Sequence, residues 1–167
     1  MKLIDILDAT PIPIGYRVSF LTNFWREPLL KRMEKEFGLI RPELTVLICL
    51  SFKPGSNARD ICEITEQPSN TVSRAVVSLE EKSYITRSRD DLDARRIKLN
   101  ITDKGQTVHD ELMNIFSQAE EIMLQHLTQK EKERLNALLD KLARSAPQWS
   151  TDPVFKTPDS VEMDTNN

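Results

Sequence analysis

Glycine is scarce in this 167-residue chain, which has only four, and cysteine and histidine occur only twice each. Four dispersed glycines leave no glycine-rich phosphate loop, and Cys49 and Cys62 suit neither a disulfide framework nor metal-ligand spacing. His109 and His126 stand alone, so they read as helix-surface or interface residues rather than ligands. No nucleophile and base share a recognisable motif, which argues against an enzyme and leaves no cofactor or metal to house. No apolar run is long enough to cross a bilayer, and the first residues lack a basic start followed by an apolar stretch. A cytoplasmic protein without a membrane role is expected. Net positive charge is missing too: 23 Lys and Arg face 26 Asp and Glu, for a formal charge of -3.

That deficit is local. Residues 150–167 hold Asp152, Asp159, Glu162 and Asp164 against Lys156 alone, so the tail carries the whole excess and the remainder sums to zero. With Pro153 and Pro158 and few large apolar groups, 150–167 is expected to be a disordered acidic tail. What is present, at 39% hydrophobic and 29% charged residues, is one globular domain's worth of chain.

The most informative stretch is 57–105. After Gln67-Pro68-Ser69, apolar residues at Val72, Ala75, Val76 and Leu79 follow the i, i+3, i+4, i+7 spacing of one buried helical stripe. Pro68 suits the first helical position, where no amide donor is needed. The opposite face carries Asn70, Thr71, Ser73, Arg74 and Ser78, hydrogen-bonding groups that reach base edges and phosphates from a major groove. Upstream, Ala58, Ile61, Cys62 and Thr65 form a shorter stripe, and Glu66-Gln67-Pro68 leaves room only for a tight turn. Downstream, Ile85–Arg89 and Ile97–Ile101 alternate with the period of strands around a polar tip, Asp90–Arg96. The hairpin should have a core face and a charged outer face. Arg87, Arg89, Arg95, Arg96 and Lys98 crowd it, and Asp93 can orient guanidinium groups aimed at a narrow, negative minor groove. Helix, turn, helix and charged hairpin together are the layout of a winged helix-turn-helix.

With those residues in view, the chain resembles the MarR (multiple antibiotic resistance regulator) family of bacterial transcription factors over roughly Leu39 to Leu142. Asp93-Ala94-Arg95 followed by Leu99-Asn100-Ile101-Thr102-Asp103-Lys104-Gly105 is similar to the family's wing signature, with Ile101 in place of a leucine. Thr71-Val72-Ser73-Arg74 and Leu79-Glu80-Glu81-Lys82 match its recognition helix, and Leu39-Ile40-Arg41-Pro42-Glu43 the loop before its second helix. Two departures stand out. Ser83 replaces a glycine after the recognition helix, so serine must bear or avoid a left-handed cap. Pro28 falls inside the long first helix, where a kink or two shorter helices are expected.

A mainly α fold follows, with a small β-hairpin wing and a helical dimerisation layer. The expected organisation is an N-terminal dimerisation segment over 1–40, a winged lobe over 41–104 and C-terminal dimerisation helices over 105–149. Val108, Leu112, Ile115, Phe116, Ala119, Ile122, Met123 and Leu127 make one long stripe. Thr128-Gln129-Lys130-Glu131 is a capping box that opens a helix with Leu135, Leu138, Leu139 and Leu142. So small a winged domain has little of its own chain to cover these stripes, or the one formed by Ile14, Val18, Leu21, Trp25 and Leu29. A homodimer is therefore expected, presenting two recognition helices to double-stranded palindromic operator DNA. The resemblance further implies repression relieved by a small aromatic or phenolic acid, or its thioester, between the dimerisation helices and the lobe. Tyr16, Arg17, Phe20, Asn23, Trp25 and Arg41 are the candidate lining residues. The rival readings are a winged-helix protein-interaction module without a DNA role and a cysteine-based redox-responsive regulator.

Overall fold

The computed structural model describes residues 3–89 and 97–155. The chain divides into two units, Met1–Glu121 and Ile122–Asn167. In the first, a 3-10 turn at Leu3–Ile6 precedes α1, Pro13–Phe37, which opens on a proline and closes on Gly38 in the left-handed region (φ 61°). Pro28 neither divides this helix nor ends it, contrary to the two shorter helices considered from the sequence. It lies on the exposed side, where water can satisfy the Phe24 carbonyl that loses its amide partner.

Helix α2, Arg41–Phe52, supplies much of the core through Leu44, Val46, Leu47, Cys49 and Leu50. The Arg41-Pro42-Glu43 segment thus forms its first turn rather than a loop. Helix α3, Ala58–Thr65, is capped by Asn57, whose side chain accepts from the Asp60 amide at 2.9 Å while Asp60 accepts from the Asn57 amide at 3.0 Å. Glu66 takes the left-handed turn conformation (φ 54°) that lets the chain fold back into α4, Ser69–Glu81. Pro68 is the N-cap of α4, one position earlier than the spacing suggested.

All four stripe residues of α4 are buried. They join Met33, Leu39, Leu47, Leu50, Ile61, Ile85, Leu99 and Leu112 in one core, each large aliphatic side chain stabilising by about 1.5–3 kcal/mol. Strands β1, Ile85–Arg89, and β2, Ile97–Ile101, pair antiparallel with Ile85 opposite Ile101 and Arg87 opposite Leu99. The turn before α3 adds to this ribbon: Gly55 donates to the Leu99 carbonyl and the Leu99 amide to the Ser56 carbonyl, both at 3.0 Å.

Helix α5, Asp103–Met123, starts at a tight junction. The Thr102 hydroxyl donates to the carbonyls of Ser83 and Tyr84 and accepts from the Gly105 amide at 3.0 Å. A Cβ on Gly105 would fall 2.1 Å from the Tyr84 carbonyl oxygen, so the signature glycine is required by close approach, not by its backbone angles. His109, expected as a helix-surface or interface residue, is buried within the chain. Its Nδ1 faces Asp110 at 2.9 Å, and its Nε2 has no hydrogen-bond partner among the described residues. The bonds from His109 and Gln106 hold the Asp110 carboxyl below its ordinary range. His126 is exposed as expected.

In the second unit, α6, Gln129–Trp149, opens on the expected capping box: the Thr128 amide donates to Glu131 at 2.8 Å and the Glu131 amide to Thr128 at 3.4 Å. No residue of α6 is buried, and Leu138, Leu139 and Leu142 are exposed. Of the expected disordered tail, 150–167, residues 156–167 lie outside the described residues. Pro153–Phe155 forms a 3-10 turn, and the Phe155 ring packs 5.4 Å from Trp149, because two aromatics within one turn's reach can bury area against each other.

Candidate nucleic-acid interface

The interface is built on α4, whose apolar stripe is seated so completely that its other face is fixed by default. That face exposes Asn70, Ser73, Arg74, Val77 and Glu81, with Thr71 and Ser78 at its margin. The Asn70 carboxamide oxygen accepts from the Thr71 amide at 2.8 Å. Arg74 is exposed beside a groove of about 360 Å³ that it shares with Ser73, Val77, Ser78 and Glu81. Val77 was missed by the sequence reading, which sought polar groups; its position three residues after Arg74 was the available signal.

The C-terminal end of α4 is held by three devices. Ser83 does adopt the left-handed cap (φ 60°), with its amide donating to the Glu80 carbonyl at 2.8 Å and the Tyr84 amide to the Leu79 carbonyl at 2.9 Å. Lys104 Nζ donates to the Lys82 carbonyl at 2.9 Å and lies 4.9 Å over the Tyr84 ring. Lys82 Nζ, in turn, donates to Glu43 at 2.6 Å and to the Gly38 carbonyl at 2.8 Å, tying α4 to the junction of α1 and α2. Burial pushes the Glu43 carboxyl up. Hydrogen bonds from Lys82, Ser78 and the Ile40 amide, with the Lys82 charge, outweigh that penalty and hold it below the ordinary 4.5.

The wing corrects one expectation. Because Arg87 and Arg89 stand two and four positions after Ile85, they lie with it on the same face of the ribbon as Leu99 and Ile101, while Lys98 lies on the other. The ribbon therefore carries cations on both faces, since its basic residues continue past the edge of the core. Arg87 donates to Glu80 at 2.7 Å, an ion pair that braces β1 against α4, and Arg89 is exposed. Asp93, Arg95 and Arg96, together with the tip that holds them, lie outside the described residues.

The six residues expected to line an effector site divide among different partners. Five are on α1 and Arg41 opens α2. Arg17 clamps the N-terminal arm, donating to Asp8 at 2.6 Å and to the Leu7 carbonyl at 2.8 Å. Phe20 stacks on Phe24 at 4.7 Å, and Trp25 meets Phe116 edge-on at 5.9 Å with its indole nitrogen buried and without a hydrogen-bond partner among the described residues. Tyr16 is half-buried, whereas Asn23 and Arg41 are exposed. Cys49 is buried and burial pushes its thiol up, away from the reactive thiolate; Cys62 is half-buried. No cluster of metal-ligating side chains occurs among the described residues, nor is any helix there long and apolar enough to cross a membrane.

Comparison with known proteins agrees with this geometry. The profile of the MarR family matches residues 37–96, which span α2, α3, α4 and β1. The HTH-type transcriptional regulator YwaE of Bacillus subtilis, itself uncharacterised, is 30% identical over 132 residues, covering 75% of this chain and 77% of YwaE. The PcaV transcriptional regulator of Streptomyces coelicolor, solved in complex with its natural ligand, superposes with a TM-score of 0.65 at 26% identity, covering 84% of this chain and 96% of PcaV. A MepR variant from S. aureus, solved bound to an oligodeoxyribonucleotide, shares the fold at a TM-score of 0.58 and 23% identity, covering 78% of this chain and 96% of MepR. With its recognition helix, braced wing and glycine junction, this chain belongs to the MarR family and is a DNA-binding transcriptional regulator.

Proposed function

We propose that the chain is a cytoplasmic repressor that binds a palindromic operator as a homodimer and is released by a small aromatic or phenolic acid, or its thioester. The observation that carries the DNA-reading part is α4, with Val72, Ala75, Val76 and Leu79 buried and Asn70, Ser73 and Arg74 exposed on one rigid element. In this reading Asn70, Thr71, Ser73 and Arg74 meet bases and phosphates in a major groove. Arg87, Arg89, Arg95 and Arg96 meet the flanking minor groove, and Asp93 orients the tip. Arg87 would do so by exchanging Glu80 for a phosphate.

Dimerisation is supported by apolar surface left uncovered within each unit: Ile14, Val18, Leu21 and Phe24 on α1, and Leu138, Leu139 and Leu142 on α6. The 1–40 and 105–149 segments would then form the dimer layer around the 41–104 lobes. An effector finds support in PcaV, which was solved with its natural ligand. A carboxylate effector at Arg17 would have to displace Asp8, a cheap exchange because that pair is solvent-exposed and worth about 0–1 kcal/mol.

The test is binding of purified protein to the DNA upstream of its own gene at two salt concentrations, against a scrambled duplex, with sedimentation to measure the mass of the free protein. Tight, salt-sensitive, sequence-selective binding by a dimer supports the reading, and release by added aromatic acids completes it. A monomer at micromolar concentration, or equal affinity for both duplexes, refutes it in favour of an interaction module.

A further inference from the structure

On the exposed face of α4 every group but one is polar. Val77 is 47% exposed, one turn beyond Ser73 and Arg74 on the same stripe, and it stays open in a groove that it shares with Ser73, Arg74, Ser78 and Glu81. A branched side chain at a solvated helix position is a poorer helix former than alanine and gains nothing from the core. Val77 therefore contributes little to the stability of the fold. Helical side chains lean toward the preceding turn, which carries the isopropyl group toward the spot that Ser73 and Arg74 address.

A base pair in the major groove presents donors, acceptors and a single apolar feature, the C5-methyl group of thymine. We propose that Val77 is a specificity-determining residue that contacts a thymine methyl in each operator half-site, next to the base pair that Arg74 reaches. This rests on the reading that α4 lies in the major groove.

Replacement of thymine by deoxyuridine removes that methyl and changes no hydrogen bond. The experiment measures affinity of the full-length protein for its operator duplex with each thymine so replaced in turn, for wild type and for Val77→Ala. Wild type should lose about fourfold at one thymine per half-site, the equivalent of roughly 0.8 kcal/mol for one methyl-sized group withdrawn from contact. Val77→Ala should bind the parent and that deoxyuridine duplex alike while still preferring the operator to a scrambled sequence. Its fold is not at risk, since alanine is the better helix former at an exposed site. If no deoxyuridine duplex weakens wild type, or if Val77→Ala keeps the same thymine preference, the inference is overturned and the major-groove reading survives. A protein that binds all duplexes alike overturns both.

Discussion

Replacing Lys82 by methionine would keep the aliphatic stem but remove the cation from Glu43, the buried carboxylate that joins α2 to the recognition helix. Glu43 is 3% exposed and Lys82 30%, with 2.6 Å between them. Stranding one partner of a fully buried pair costs about 3–5 kcal/mol. Here the cost should be smaller, because Glu43 keeps the Ile40 amide at 2.7 Å and its bond from Ser78, and because Lys82 is partly solvated. About 2–3 kcal/mol is expected from that reduction of the fully buried figure. The sign with pH is also fixed. In the wild type Glu43 titrates below its unfolded value, so its contribution is present above about pH 4.5 and fades as pH falls through the carboxylate range. Without the ammonium the carboxyl titrates higher than in the wild type, so the variant loses less than the wild type as pH falls. Denaturant unfolding at one fixed protein concentration, at neutral pH and near pH 4, should show a gap between the two proteins that closes as pH falls. A gap that is the same at both pH values, or below 1 kcal/mol at neutral pH, would refute the reasoning.

Gly105→Ala should destabilise by about 3 kcal/mol or more, because its Cβ meets the backbone oxygen of Tyr84 rather than a side chain that could move; an unchanged melting temperature would contradict the junction described. Ser83→Gly relieves a left-handed serine at the cost of a more flexible unfolded chain, for a net gain of about 0.5–1 kcal/mol by thermal unfolding. No gain would mean that the cap is not the strained element. Arg95→Ala should weaken operator binding by about 1–3 kcal/mol without unfolding the protein; operator affinity that stayed constant by fluorescence anisotropy would remove Arg95 from the wing's contact set.

Much of the fold could be read along the chain because its elements are amphipathic at short range. The stripe from Val72 to Leu79, the alternation of Ile85–Arg89 and the capping box at Thr128 each involve residues within a few positions of one another, and all three form as their spacing predicts. The chemistry of the α4 face, Asn70 through Ser78, was legible for the same reason: once one side of a helix is buried, 3.6 residues per turn fix what the other side presents. What the sequence could not convey depends on distance through space. Glu43 and Lys82 are 39 residues apart, and neither alone marks the other as a partner. Gly55 and Ser56 complete the ribbon by reaching β2 across two helices, and His109 is buried although its own side chain is polar. Arg87 and Arg89 share the face of Leu99 because register, set by pairing with the second strand, decides which side of a ribbon faces the core. The sequence by itself determined which segments are helical, which are extended and which surfaces are apolar. Only the tertiary structure decided which of those surfaces meet and which charges are neutralised where they meet, because burial and ion pairing are properties of contacts between distant segments.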